Sequence, residues 1–214
     1  MDQRSDRELL AGHISGDATC FALLTERYAK DLYGFLYRFV GDGVIADDLV
    51  QEAFLQVHLA AGSFDLERPF KPWLYTIAAN KARDSLRSRT RRSERSLDAV
   101  SGEDESGSAL IDGLKADDQS TAERFDTGEL REQVRGVIAK MPEHLRLILM
   151  LGYYQQLPYA EIAEILSIPV GTVKSRLHSA IGYFGRLWRH HTGESESDGS
   201  GEMGDIVANR NADA

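Results

Sequence analysis

The sequence predicts an all-α protein of two small helical domains joined by a flexible acidic linker, the second domain containing a helix-turn-helix. Three observations predict it. Apolar residues recur at helical spacing over residues 1–92 and again over 129–191, and neither stretch alternates as a strand would. Two segments rich in Ser, Gly, Asp and Glu, 93–128 and 192–214, hold too little apolar surface to fold alone. Residues 157–180, LPYAEIAEILSIPVGTVKSRLHSA, read as a short helix, a tight turn and a second helix with a polar, basic face.

In the first domain, 1–92, helices are expected at Asp6–Ser15, Ala18–Val40, Val44–Ala60 and Lys71–Arg92. Gly41 and Gly43 punctuate the junction before the third helix, and Pro69 and Pro72 the junction before the fourth. The linker, 93–128, carries ten acidic against three basic side chains and contains SGEDESGS and ADDQST. A structureless connection of this length is a functional loop or an interdomain linker. In the second domain, 129–191, helices are expected at Glu129–Lys140, Pro142–Tyr154, Tyr159–Leu166 and from Val170 to Arg189. Pro142 sits where a first-turn proline belongs, and Pro158 and Pro169 mark two further starts. The acidic tail, 192–214, reads as flexible chain, and no repeat relates the two domains.

Composition narrows the class of function. No stretch approaches the roughly 20 apolar residues of a membrane-spanning helix, and Met1 to Gly12 is too polar for a secretory signal, so no membrane insertion is expected. Cys20 is the only cysteine, which excludes an internal disulfide and fits a reducing cytoplasm. The net charge of −9 argues against nucleic acid until it is mapped: residues 1–92 are neutral and 129–191 carry eight basic against five acidic groups. Lys81, Arg83, Arg87, Arg89, Arg91 and Arg92 form the densest basic cluster, relieved only by Asp84. There is no Walker loop, dinucleotide fingerprint, nucleophile elbow or zinc-protease motif, so neither enzyme activity nor a cofactor is expected.

In the helix-turn-helix, Ile162, Leu166, Ile168, Val173 and Leu177 are the positions that lock the two helices together, with Ala163 small where they cross. The second helix then presents Thr172, Lys174, Ser175, Arg176 and His178 outward as phosphate and base-edge donors. An ordinary helical hairpin with a polar face is the plainer alternative. Ser167 stands where such turns usually carry Gly, at a cost if the turn needs a positive φ.

Residues 45–60, placed on a helix at about 100° per residue, put Ile45, Ala46, Leu49, Val50, Ala53, Val57 and Ala60 on one face. The other face carries Asp48, Gln51, Glu52, Leu55, His58 and Leu59. Leucines among carboxylates suggest a partner surface; a solvated face with incidental leucines is the alternative. Adjacent Asp47 and Asp48 point apart and no histidine completes a ligand spacing with Glu52, so no metal site is expected. Trp73, Tyr75 and Asn80 precede the basic cluster on one helix. Aromatic faces can stack on unpaired bases while cations hold the backbone, although Trp73 reads first as a packing residue. Phe64, in the loop GSFDLERPF, could line a pocket for an extruded base.

Three of these segments together resemble the extracytoplasmic-function sigma factors of the sigma-70 family. ADDLVQEAFLQVH (46–58) is similar to that family's core-polymerase-binding helix, PWLYTIAANKARDSLR (72–87) to its promoter-melting helix, and IPVGTVKSRLHSA (168–180) to its promoter-reading helix. The resemblance implies a protein that directs RNA polymerase to promoters. It implies docking on the clamp of the largest polymerase subunit through Asp48, Gln51, Glu52, Phe54 and Leu55. It implies contact with the −10 element through Phe64, Trp73, Asn80, Lys81, Arg83 and Arg87. It implies reading of the −35 element by Val170, Gly171, Thr172, Lys174, Ser175, Arg176 and His178, with the same domain on the flap of the second-largest subunit. An anti-sigma antagonist is a common partner in that family, and no residue here identifies one. Two other readings stay open: a regulator that binds an operator directly, and an enzyme with a DNA-binding appendage.

Overall fold

The computed structural model describes residues 3–99 and 121–193. Residues 100–120 of the expected linker and 194–214 of the expected tail lie outside the described residues. Among the described residues there are eight α-helices and no strand.

Local signals set the helix ends in the first unit. Helix α1 (Asp6–Ile14) opens on a capping box in which Ser5 and Glu8 satisfy each other's backbone N–H groups, a device that contributes about 1 kcal/mol. Helix α2 (Ala18–Val40) is capped by Asp17, which accepts from the Thr19 N–H at 2.9 Å, and stops at Gly41, whose φ of 75° suits a residue without Cβ. Helix α3 (Gly43–Ala60) is capped by Asp42 and runs into a single 3-10 turn, Ala61–Ser63. Helix α4 (Phe70–Ala99) closes the unit. Phe35, Phe39, Ala46, Ala53, Leu74, Ala78 and Ala82 fill the space between α2, α3 and α4. Helix α1 crosses α2 so closely that a Cβ on Gly12 would stand 2.5 Å from the buried Cys20 sulfur, so this crossing requires glycine.

The second unit comprises α5 (Thr121–Ala139), α6 (Glu143–Leu149), a π-helical turn (Met150–Tyr154), α7 (Tyr159–Leu166) and α8 (Val170–Thr192). Leu147, Ile148, Leu151, Ile162, Val173, Leu177 and Ala180 form its centre. A Cβ on Gly152, in the π turn, would lie 3.2 Å from the Leu177 side chain, so that turn sets a bare backbone against α8.

Several expectations need correction. Helix α4 passes Arg92 and runs to Ala99, and α5 begins at Thr121, so helix enters the expected linker from both ends. Residues 88–99 contain neither Gly nor Pro and are rich in Arg, so an established helix continues at little cost. Pro142 is the cap rather than the first helical residue: its ψ is 139°, and its carbonyl accepts from Arg146 N–H at 2.9 Å. Pro158 and Pro169 take the same position ahead of α7 and α8, where a missing N–H leaves nothing unpaired. The helix expected to reach Tyr154 as α-helix changes to π geometry at Met150.

The two units are packed together rather than merely tethered. Helix α7 lies on α4, and α5 and the π turn lie on α2. The buried cluster runs without a break from Phe35 and Tyr75 into Leu147 and Ile148. Arg146 stacks over Phe39 at 5.1 Å, Arg38 over Tyr154 at 4.7 Å, and Arg135 over Tyr37 at 5.1 Å while donating to its hydroxyl. Each such pair is worth about 0.5–2 kcal/mol depending on its solvation.

Candidate nucleic-acid and partner interfaces

The turn between α7 and α8 is a Schellman closure. Ile168 N–H reaches the Ala163 carbonyl at 3.0 Å, and Ser167 N–H reaches Glu164 at 3.1 Å. Ser167 takes a φ of 52°, the left-handed conformation for which serine is poorly suited. Ile162, Val173 and Leu177 are buried between the helices, and Leu166 and Ile168 pack at the edge. Ile165, which the sequence reading passed over, is buried with them. Its spacing of three residues from Ile162 was the available signal. With the inner face fixed, Val170, Gly171, Lys174, Ser175 and His178 are exposed along α8, and Thr172 and Arg176 are half-buried beside them. The Lys174 ammonium lies 5.9 Å from the Tyr159 ring centre. This is a helix presented by a scaffold, with hydrogen-bond donors along its outer side.

On α3, Asp48, Gln51, Glu52, Leu55, His58 and Leu59 are all exposed, with Leu55 at 58% and Leu59 at 70%. Phe54 is the exception among the candidates. It is 5% exposed, and its ring meets Phe21 edge-on at 6.2 Å, so it belongs to the core and supports the face from beneath. On a helical wheel Phe54 falls about 40° from Val50 and about 60° from Val57, which is the inward side. His58 Nδ1 and His13 Nε2 approach to 3.1 Å at the end of this face, and His13 stacks on Phe21 at 4.6 Å. Burial, and then the neighbouring His58, hold the His13 imidazole below its ordinary pKa.

Along α4, Trp73, Asn80 and Arg87 recur every seven residues and so share one side of the helix. Asn80 and Arg87 are exposed. Trp73 is half-buried and stacks on Phe64 at 4.1 Å, so both its packing and its stacking readings apply to one pair of rings. Phe64, Phe70, Lys71 and Pro72, with Leu10 from α1 and Glu161 from α7, line a cleft of about 300 Å³. Tyr75 does not share this surface. It is fully buried, and its hydroxyl donates to Gln155 Oε1 of the second unit at 2.6 Å, so it has no face for a base. Burial pushes its pKa well above that of an ordinary tyrosine. Lys81 pairs with Glu52 at 3.0 Å, which ties the basic helix to the α3 face. Arg83 is drawn toward Glu143 of the second unit at 3.6 Å. Further along, Arg87, Arg91 and Arg92 border one concave surface with Asp84 and Ser88.

The candidate residues therefore fall on three surfaces: the outer side of α3, the Phe64 cleft with α4, and the outer side of α8. Among the described residues no group of three or more His, Cys, Asp or Glu could hold a metal ion, and no helix is long and apolar enough to cross a membrane.

Comparison with known proteins shows the family. The model of sigma-70 region 2 matches residues 24–92, and that of sigma-70 region 4 matches 131–181. The chain is 37% identical to the ECF RNA polymerase sigma factor SigW of Bacillus subtilis, over 76% of this chain and 86% of that protein. It is also 37% identical to the ECF RNA polymerase sigma-E factor of Escherichia coli, over 84% of this chain and 92% of that one. Two solved structures share the fold. CnrH in complex with the cytosolic domain of CnrY gives a TM-score of 0.63 at 23% identity, covering 89% of this chain and 99% of that chain. The sigma factor RpoE of Bartonella quintana in complex with the anti-sigma factor NepR gives 0.62 at 22% identity, covering 79% and 96%.

Proposed function

The chain belongs to the extracytoplasmic-function sigma factors of the sigma-70 family, and from that membership we propose how its three surfaces divide the work of initiation. It is an RNA polymerase sigma factor that directs promoter recognition and transcription initiation. The family acts in transcription initiation, and bond formation in the transcript is left to the polymerase.

In our reading, Asp48, Gln51, Glu52 and Leu55 dock α3 on the polymerase clamp, with Phe54 setting the pitch of that helix. The Phe64 cleft and the Trp73, Asn80 and Arg87 side of α4 capture the non-template strand of the −10 element, with Lys81 and Arg83 as further backbone contacts. The outer side of α8, from Val170 to His178, reads the −35 element in the major groove while the second unit rests on the polymerase flap. In the same reading the protein works in the cytoplasm, and an anti-sigma factor is a candidate partner, as NepR is for the RpoE of Bartonella quintana that shares its fold. The boundaries that go with this reading are 1–92 for clamp and −10 binding, 93–128 as linker, 129–191 for −35 binding and 192–214 as tail. The observation that carries the reading is the seven-residue alignment of Trp73, Asn80 and Arg87 beside the exposed α3 face, with the Lys81–Glu52 pair joining the two. An operator-binding regulator accounts for α8 alone and leaves that joined surface without a use.

The experiment is promoter binding by holoenzyme carrying substitutions in α8. Arg176→Ala is expected to cost about 1–3 kcal/mol at one base pair if the guanidinium reaches a guanine edge. If it holds phosphate, the loss is uniform across promoter sequences and the salt dependence becomes shallower. Lys174→Ala is expected to give the uniform loss. Unchanged binding by both variants, measured by fluorescence anisotropy across a set of −35 variants, would remove α8 as the reader.

A further inference from the structure

Two histidines that no sequence spacing would pair meet at one end of the first unit. His13 lies in the last turn of α1 and His58 in the last turn of α3. They stand 45 positions apart in the chain, yet His58 Nδ1 is 3.1 Å from His13 Nε2. The C-terminal turn of a helix carries partial negative charge and favours a cation beside it. Here two such turns converge on one pair of ring nitrogens.

Packing sets the orientation of both rings. His13 stacks on Phe21 at 4.6 Å, the Phe21 ring stands 5.6 Å from that of His58, and Phe21 meets buried Phe54 edge-on. Beneath His13, the crossing of Gly12 and Cys20 seats α1 on α2. The outer side is open to solvent: His58 is exposed and His13 is half-buried, so an ion has a way in.

Zinc binds imidazole nitrogen at about 2.0–2.1 Å, so two nitrogens on one tetrahedral or octahedral ion lie about 2.9–3.4 Å apart. The observed separation falls within that range. It also suits one N–H···N hydrogen bond, in which one neutral ring donates to the lone pair of the other. Replacing that shared hydrogen by an ion moves it to the outer nitrogen of the donating ring. Neither helix has to shift far, and no proton is lost. Imidazole suits zinc, nickel and copper, whereas magnesium and calcium take oxygen. Asp17, four residues after His13, is engaged as the cap of α2 and accepts from the Thr19 N–H and hydroxyl. Among the described residues no third His, Cys, Asp or Glu completes a cluster, so the protein supplies two ligands and water supplies the rest.

We propose that His13 and His58 form a site for one divalent late transition-metal ion, zinc foremost, which clips the end of α1 to the end of α3. His13 lies outside the region 2 match of residues 24–92, so the site fastens a helix outside that match to one within it. The site stands whether or not α3, α4 and α8 are used as read above.

The test uses the untagged full chain and the metal salts alone. ZnCl2 or NiCl2 is expected to raise the melting temperature, by about 5–10 °C at a hundredfold excess over Kd, and MgCl2 to leave it unchanged. Isothermal titration should give one ion per chain, with a monomer mass by light scattering. His13→Gln and His58→Gln should each abolish the shift while circular dichroism shows both variants folded. His190→Gln with His191→Gln, at the far end of α8, should keep it. In the wild-type chain, nuclear magnetic resonance of the imidazole rings should show His13 and His58 responding to zinc together and the other four histidines unmoved, a reading that needs no variant to fold. No shift in the wild type, or a shift that survives loss of either histidine, overturns the proposal. So does half an ion per chain with a doubled mass, which would place the ion between two copies.

Discussion

Phe64→Ala is expected to reduce open-complex formation on a matched promoter about tenfold or more, since stacking on one base is worth about 1–3 kcal/mol and 1.4 kcal/mol is a factor of ten. Core binding should change little, because Phe64 lies in the loop before α4 and is not one of the exposed α3 residues read as the docking face. Asn80→Ala, on the exposed side of α4, is expected to act in the same step. An opening duplex re-pairs unless an unstacked base is captured, and the Phe64–Trp73 pair beside its cleft is the stacking surface available here. Both defects should shrink on a template already mismatched across the −10 region, where melting is supplied in advance. Arg83→Ala and Arg87→Ala should be rescued less, because phosphate holding is still needed. Permanganate reactivity of thymines on matched and pre-melted templates reads this out. Phe64 also packs against the core, so a melting curve must show that the variant is folded. Normal reactivity of the Phe64 and Asn80 variants on matched DNA would leave the segment as a structural corner with a basic end.

Charge reversal on α3 should have the second large effect. Asp48→Arg is expected to weaken core polymerase binding by about thirtyfold or more, the loss of roughly 2 kcal/mol or above seen when one partner of an interfacial charge pair is removed. Asp48 is exposed and its side chain supports no other element, so circular dichroism should be unchanged. Glu52→Arg should weaken binding too, but it also breaks the pair with Lys81 and places two cations together. The two substitutions therefore separate: Asp48→Arg reports docking, and Glu52→Arg reports docking plus the setting of α4. A folded double variant that pulls down core polymerase as well as wild type would remove α3 as the docking helix.

Much of this was legible in the sequence, for reasons tied to particular residues. Helix α2 and helix α7 occur where expected because each has strong local punctuation: Asp17 and Gly41 for the first, Pro158 and the Ser167–Pro169 turn for the second. The outer face of α3 followed from periodicity, since a two-sided pattern on one helix admits one orientation toward a core. Ser167 was legible as a departure, and its left-handed φ is the strain that departure implied. What stayed hidden depends on contacts between residues far apart in the chain. Tyr75 looks like a stacking residue beside Trp73 until Gln155, eighty positions on, supplies its hydrogen bond. Glu143, Glu161 and Glu164 look like a solvated acidic edge until α4 is brought beneath them. Phe54 was misplaced because its match to a family motif outweighed its position on the wheel, where Val50 and Val57 already pointed inward.

The measurement that tests the account most directly is run-off transcription with purified core RNA polymerase, the full-length chain and a pool of templates randomised across the promoter. Discrete transcripts are expected only when chain and core are both present, from templates enriched for two elements spaced as −10 and −35. Asp48→Arg should reduce them in step with its weaker core binding, and Arg176→Ala should alter selection at the upstream element alone where its guanidinium reaches a base edge, or lower all transcripts evenly where it holds phosphate. DNA binding by the chain without core, together with no chain-dependent transcript, would contradict it and return α8 to an operator-binding role.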